Sequence, residues 1–267
     1  MRRARVAALA LAAALAAPSA RAQEPPRPLR HDATTDLAVT GAAAVTWATL
    51  GLLGPELAPL SCNWCTPPPL DAKVQAALLW GDPRAAAVAS DVVGIAALPA
   101  GLLAFGFFSA RAAGDRDAFW VDTLVIAEAV SIAGALNVSL KYLAGRQRPY
   151  AYYGRQPFYD DPHDRNLSFY SGHTSMAFAS ATAAGTVYLM RGYRGAPWAL
   201  GGGLALAAFT GYLRIGADKH WFTDVVVGAA VGSLVGWAVP YLFHRSDGTG
   251  SQGAALRPAP GGIAIAF

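Results

Sequence analysis

The chain is short of charge. Only 14% of its 267 residues are Asp, Glu, Lys or Arg, against about 25% in an average soluble domain, so it has little solvated surface. A basic run is also missing. The net charge of +4 comes from scattered arginines, which argues against a nucleic-acid partner. Cysteine is nearly absent: Cys62 and Cys65 are the only two, spaced Cys-x-x-Cys and followed by Pro67-Pro68-Pro69. No second Cys or His pair completes a zinc site, and no βαβ pattern surrounds a redox motif. The pair therefore reads as a small loop disulfide on an oxidising face. Strand-like alternation is missing from the body of the chain. Nor is there an acidic cluster spaced to hold Mg²⁺, since Asp160, Asp161 and Asp164 share a loop without suitable partners. No metal and no cofactor is expected, and that loop reads as a solvated or substrate-facing surface.

Apolar residues are what the chain has in plenty, 54% of the total, with a mean hydropathy of +0.31. Arg2, Arg3 and Arg5 precede an apolar run from Val6 to Ala17, and Ala20-Arg21-Ala22 forms a small-x-small site. Residues 1–22 thus read as an export signal, too short to span a bilayer. A Pro- and Arg-containing linker, Gln23 to Thr35, follows. Six long apolar segments come next: Leu37–Leu53, Ala85–Ala110, Ala118–Leu143, Gly172–Met190, Trp198–Leu213 and Phe222–Phe243. Most approach the length a bilayer core demands, which predicts an all-α, six-helix transmembrane bundle over residues 36–245. Gly228, Gly232 and Gly236 recur every four residues in the last segment, a smooth face for close helix packing. Residues 246–267 read as a flexible Gly/Pro/Ser-rich tail. Its Ile-Ala-Ile-Ala-Phe ending alternates like a strand, but nothing else in the chain could complete a barrel.

Two long loops, Gly54–Arg84 and Ala144–Ser171, fall on one face, and short loops carrying Arg111 with Arg116 and Arg191 with Arg194 fall on the other. The positive-inside rule puts the short loops in the cytoplasm and the long ones in the periplasm, across an inner membrane. A cleaved signal argues the opposite orientation; the loop arginines and the cysteine pair are given precedence. The aromatics Tyr150, Tyr152, Tyr153, Phe158 and Tyr159 suit either the headgroup level or loop packing. Asp91, Asp122 and Glu128 lie within apolar segments, where ionisable groups face the bundle interior and pair or brace helices.

Three polar clusters sit at segment ends on the long-loop face: Lys141 with Arg148-Pro149, then Ser171-Gly172-His173, then Arg214 with His220 and Asp224. Helix parity brings them together, because segments three and five end on that face and four and six begin there. Three cations, two histidines and two helix starts suit a tetrahedral anion. If Phe222 onward is helical, His220 and Asp224 share a face, where the carboxylate can fix the imidazole tautomer.

In these three clusters the chain resembles the type 2 phosphatidic acid phosphatase family, whose motifs run Lys-x6-Arg-Pro, Pro-Ser-Gly-His and Ser-Arg-x5-His-x3-Asp. The match covers about residues 118 to 243, and Tyr170 and Leu213 depart from it where the family has Pro and Ser. The resemblance implies a metal-independent membrane phosphatase acting on a lipid phosphate or diphosphate, such as phosphatidic acid, phosphatidylglycerol phosphate, a polyprenyl diphosphate or a lipid A phosphate. It implies that Lys141, Arg148, Ser171, Gly172 and Arg214 hold phosphate, and that His220 forms a phosphohistidine with Asp224 orienting it. His173 would serve as acid and base. Leu213 would cost one hydroxyl contact to phosphate. A phosphotransferase acting on an acceptor lipid, or a non-catalytic phosphate-binding membrane protein, would share such a pocket. The bilayer and a lipid phosphate are the expected partners; oligomeric state is left open.

Overall fold

The computed structural model describes residues 25–155, 161–246, 255–259 and 262–266. The export signal therefore lies outside the described residues, as do Phe158, Tyr159 and Asp160. Six long helices cover the six apolar segments: α1 (Ala33–Leu52), α3 (Pro83–Ala112), α4 (Asp117–Ala144), α5 (Gly172–Arg191), α6 (Ala196–Gly216) and α7 (Phe222–Phe243). A shorter helix, α2 (Pro69–Leu78), lies in the first long loop. Three of them, α3, α4 and α7, are long and apolar enough by composition to cross a membrane.

Local chemistry sets the helix ends. Asp32 caps α1 by accepting the Thr35 N–H, and Asp82 caps α3 by accepting from Arg84 and Ala85. Gly145 and Gly192 close α4 and α5 in the left-handed conformation, where a side chain would be strained. α3 widens to a π-helix over Val92–Ala97 and α7 ends in one over Val239–Phe243, each next to or containing a proline.

α5 is the axis of the bundle and packs against α4, α6 and α7. Ala177, Ala179, Ala181, Ala183 and Ala184 are fully buried there, and such small side chains let neighbouring backbones approach. The α7 glycines use this closeness. A Cβ at Gly228, Gly232 or Gly236 would lie 2.8, 2.2 or 2.6 Å from the backbone oxygens of Ser171, Ser175 and Ala179. Glycines every four residues thus match α5 carbonyls every four residues. The outside of the bundle is apolar, with Trp198 85%, Leu52 81% and Trp120 68% exposed, a surface suited to lipid rather than water.

Several expectations shift. The linker packs onto the bundle: the Arg27 N–H donates to Arg191 O, the Arg30 N–H donates to His244 O, and Leu29 is buried in the core. Arg191 is not a loop charge at all. It is buried and paired with Asp122 at 2.6 Å, and the Tyr193 hydroxyl donates to the same carboxylate at 3.0 Å. It therefore serves as a brace and tells nothing of orientation. Within the tail, β1 (Ala255–Ala259) pairs antiparallel with β2 (Gly262–Ala266). Cys62 and Cys65 are disulfide-bonded, as their spacing suggested.

Candidate active site

The ends of α4 and α6 and the starts of α3 and α5 surround a cavity of about 540 Å³, lined by Lys141, Arg148, His173, Arg214 and His220 among others. Side chains from all three clusters therefore meet at one place. Arg214 comes from the last turn of α6, Lys141 from the last turn of α4, and His173 from the first turn of α5.

His220 is buried between fixed partners. Its Nδ1 lies 2.8 Å from the Ser168 carbonyl oxygen, and its Nε2 lies 3.2 Å from Arg148 Nη1. A carbonyl can only accept and a guanidinium can only donate. These two neighbours therefore place the proton on Nδ1 and leave the Nε2 lone pair facing the cations. Burial, then the charges of Arg148, Lys141 and Arg214, push the His220 pKa well below its usual value, which keeps the ring neutral.

The direct His220–Asp224 hydrogen bond expected from the spacing is not made. The carboxylate lies 3.8 Å from Nδ1, beyond hydrogen-bonding range. Asp224 acts one step back. Its Oδ2 accepts the Ser168 hydroxyl at 2.5 Å and the Trp221 N–H at 2.9 Å, so it holds the residue whose carbonyl holds His220. Its Oδ1 accepts from Arg146, a fully buried arginine whose Nη2 also donates to Asp71 at 2.6 Å. Asp71, on α2, accepts from both the backbone and the hydroxyl of Thr223 at 2.8 and 2.7 Å. The Arg146 guanidinium lies 3.8 Å from the Trp64 ring centroid, a cation–π contact beside the disulfide loop.

On the other side of the cavity, His173 Nε2 is 2.8 Å from Asp91 Oδ1. Arg214 Nη1 lies 3.8 Å from the same carboxylate oxygen and donates to Ser90 Oγ at 3.0 Å. Asp91 is thus the partner of a site histidine as well as a charge inside an apolar segment.

The Ala144–Ser171 loop is not a bare solvated surface. Asp164 accepts from Arg148 Nη2 at 2.6 Å and from Lys219 Nζ at 3.2 Å. Burial alone would raise its pKa, but the charges of Arg148, Lys219 and Lys141 hold the carboxyl far below the usual range. Asp161 accepts the His163 N–H and caps a short 3₁₀ turn. Tyr150 is buried under Lys219, whereas Tyr152 and Tyr153 pack edge-on and tilted against Trp221 and are partly exposed.

Two expected phosphate contacts lie off the cavity wall. Ser171 caps α5, its oxygen accepting from the Thr174 hydroxyl at 2.9 Å, and the Gly172 α-carbon faces Asn137 of α4. Leu213 packs with Ala86, Ala87 and Ala217, so a residue there has a packing role and its lack of a hydroxyl removes nothing from the cavity. Tyr170 is buried, its carbonyl accepting from Asn137 at 2.8 Å. Sequence reasoning missed Arg146, Ser168, Asp71 and Asp218. Only Arg146 carried a signal, an arginine two residues before Arg148. Asp218 is held by Arg155 and by Gln75 of α2 at 2.8 and 2.6 Å.

Residues 122–247 match the PAP2 superfamily. A curated relative, the lipid A 1-phosphatase of Porphyromonas gingivalis, is 37% identical over 132 residues, 47% of this chain. The chain spans about a quarter of that relative, 26% of its length. A solved structure, a transmembrane PAP2-type phosphatidylglycerolphosphate phosphatase from Bacillus subtilis, aligns over 86% of this chain and 89% of its own at 19% identity, with a TM-score of 0.38.

Proposed function

We propose that the chain, whose residues 122–247 match the PAP2 superfamily, hydrolyses a lipid phosphate by way of a phosphohistidine on His220. The observation that carries the reading is the forced tautomer: Nε2 turns its lone pair toward the Arg148 guanidinium, 3.2 Å away. In the proposed reaction Arg148, Lys141 and Arg214 grip the non-bridging oxygens, and Arg148 exchanges its contact with Nε2 for one with phosphate. His220 Nε2 attacks phosphorus in line as the bond to the lipid oxygen breaks. His173 gives that oxygen a proton, then takes one from the water that attacks the phosphohistidine, which releases phosphate and restores His220. Such a transfer needs positioning and charge stabilisation more than covalent help, and three cations supply these without a metal. Asp224 positions His220 through Ser168, and Asp91 does the same for His173.

The substrate reading follows the curated relative, so lipid A bearing a 1-phosphate heads the panel, ahead of phosphatidic acid, phosphatidylglycerol phosphate and a polyprenyl diphosphate. The site is proposed to lie at the periplasmic face of the inner membrane, where the cavity opens among helix ends and acyl chains stay in the bilayer.

The test uses detergent-purified protein, a panel of these lipids, and phosphate release measured with EDTA in the assay. Wild type is expected to release phosphate, and a His220→Ala variant to release none above background. Undiminished release by that variant would refute the proposal, and transfer of labelled phosphate to a second lipid instead of water would replace hydrolase with transferase.

A further inference from the structure

At the end of the bundle away from the cavity, three acidic and basic ligand groups from distant parts of the chain meet inside the protein. They are Asp36 in the first turn of α1, Glu128 on α4, and His244 directly after α7, all buried, with one ligand atom of each within 4.8 Å of the others. The rise along α4 from Glu128 to Lys141, which lines the cavity, separates the two places by about 20 Å.

The chemistry of this cluster is unbalanced. His244 Nδ1 is 3.0 Å from the Arg30 carbonyl oxygen, which can only accept, so Nδ1 carries a proton and the neutral ring presents its lone pair at Nε2. That lone pair faces Glu128 Oε2 at 3.4 Å. Both atoms are buried without a hydrogen-bond partner. Asp36 adds a second carboxylate, held from behind by the Asp32 N–H at 3.1 Å. Among the described residues no lysine or arginine is ion-paired with any of the three. Two carboxylates turned toward a single imidazole carry more negative charge than that ring can balance in an apolar interior.

We propose that Asp36, Glu128 and His244 bind a divalent transition metal of the Zn²⁺ class, which ties the first, third and last segments of the membrane bundle together. A dication neutralises the two carboxylates. Two ligands each about 2.0–2.1 Å from a tetrahedral ion lie about 3.4 Å apart, the separation seen between His244 Nε2 and Glu128 Oε2. The Arg30 carbonyl supplies the outer contact that metal-binding histidines use to fix their tautomer. Asp36 would close in by a fraction of its present gap, and water would take the fourth position. Sequence spacing gave no hint of it, because the three residues are separated by about 90 and 115 positions.

The experiment uses untagged protein in detergent, stripped with chelator and titrated with Zn²⁺, or with Co²⁺ for its tetrahedral visible absorption. About one equivalent is expected to bind saturably, with a rise in Tm. Affinity should fall at least tenfold in each of the isosteric variants Asp36→Asn and Glu128→Gln, and in His244→Ala. The phosphatase-null His220→Ala variant should bind metal as wild type does, which separates this site from the proposed reaction. Should the variants fold poorly, stripped wild type decides the matter: no saturable binding, or no gain in Tm when metal returns, overturns the proposal. Equal affinity in well-folded variants overturns it too.

Discussion

Arg146 and Arg148 stand two residues apart, are almost equally buried, and belong to different regions of the molecule. Side chains two apart fall on one face of an ideal strand, but the chain turns into the Pro149–Tyr152 helical turn just after Arg148, and the two guanidiniums part. Arg146 enters a closed layer in which Asp71, Asp224, Thr223 and Trp64 occupy it on every side. Arg148 reaches the cavity, held by Asp164 but also in contact with His220 Nε2. One arginine is spent on structure and the other is exchangeable. A phosphate could displace the partners of Arg148 but has no route to those of Arg146.

If this division is right, the largest effect is on stability. Arg146→Met leaves two buried carboxylates uncompensated and is expected to cost about 3–5 kcal/mol, read as a large fall in Tm in detergent. A variant as stable as wild type would break the comparison. Arg148→Gln should do the reverse, keeping most of the Tm while lowering phosphate release by about 10²–10³-fold. Steady-state kinetics beside thermal unfolding would show both at once.

A smaller effect is expected on the frame that holds the two regions in register. Gly232→Ala puts a methyl group 2.2 Å from the Ser175 oxygen. Separating α7 from α5 should cost about 1–3 kcal/mol and lower activity only as far as His220 moves. An equal substitution at Gly201, with nothing within 4 Å, provides the control and should change little.

The smallest effect concerns pH. The folded pKa of His220 lies below its usual value, so below about pH 6.5 the unfolded chain takes a proton that the folded chain refuses. Stability is then lost as pH falls from the unfolded toward the folded pKa, by roughly 1.4 kcal/mol per unit at most. A His220→Gln variant should show a shallower decline of Tm over that window. An unchanged slope would mean that His220 is not held neutral.

Much of this was legible in residue order. Lys141, Arg148, His173, Arg214 and His220 meet because helix parity alone decides which segment ends share a face, and parity follows from counting apolar runs. The α7 glycine stripe was legible for a similar reason, since a four-residue period marks one helix face whatever it packs against. Asp224 was recognisable as a member of the site but not by its contact, because whether a carboxylate touches a ring is decided within about 1 Å, and here Ser168 stands between.

What the linear chain determined about this protein is therefore its class, its six apolar helices and the polar residues gathered at their ends, because hydrophobic period and segment length are local properties. Only the tertiary structure decided which charges are neutralised and which stay open: Asp164 on Arg148, Asp91 on His173, Asp71 on Arg146, and Glu128 facing His244. Each of those pairings joins residues far apart in sequence or across a loop without pattern, and the cost of burying an unpaired charge acts through space, without regard to the distance along the chain.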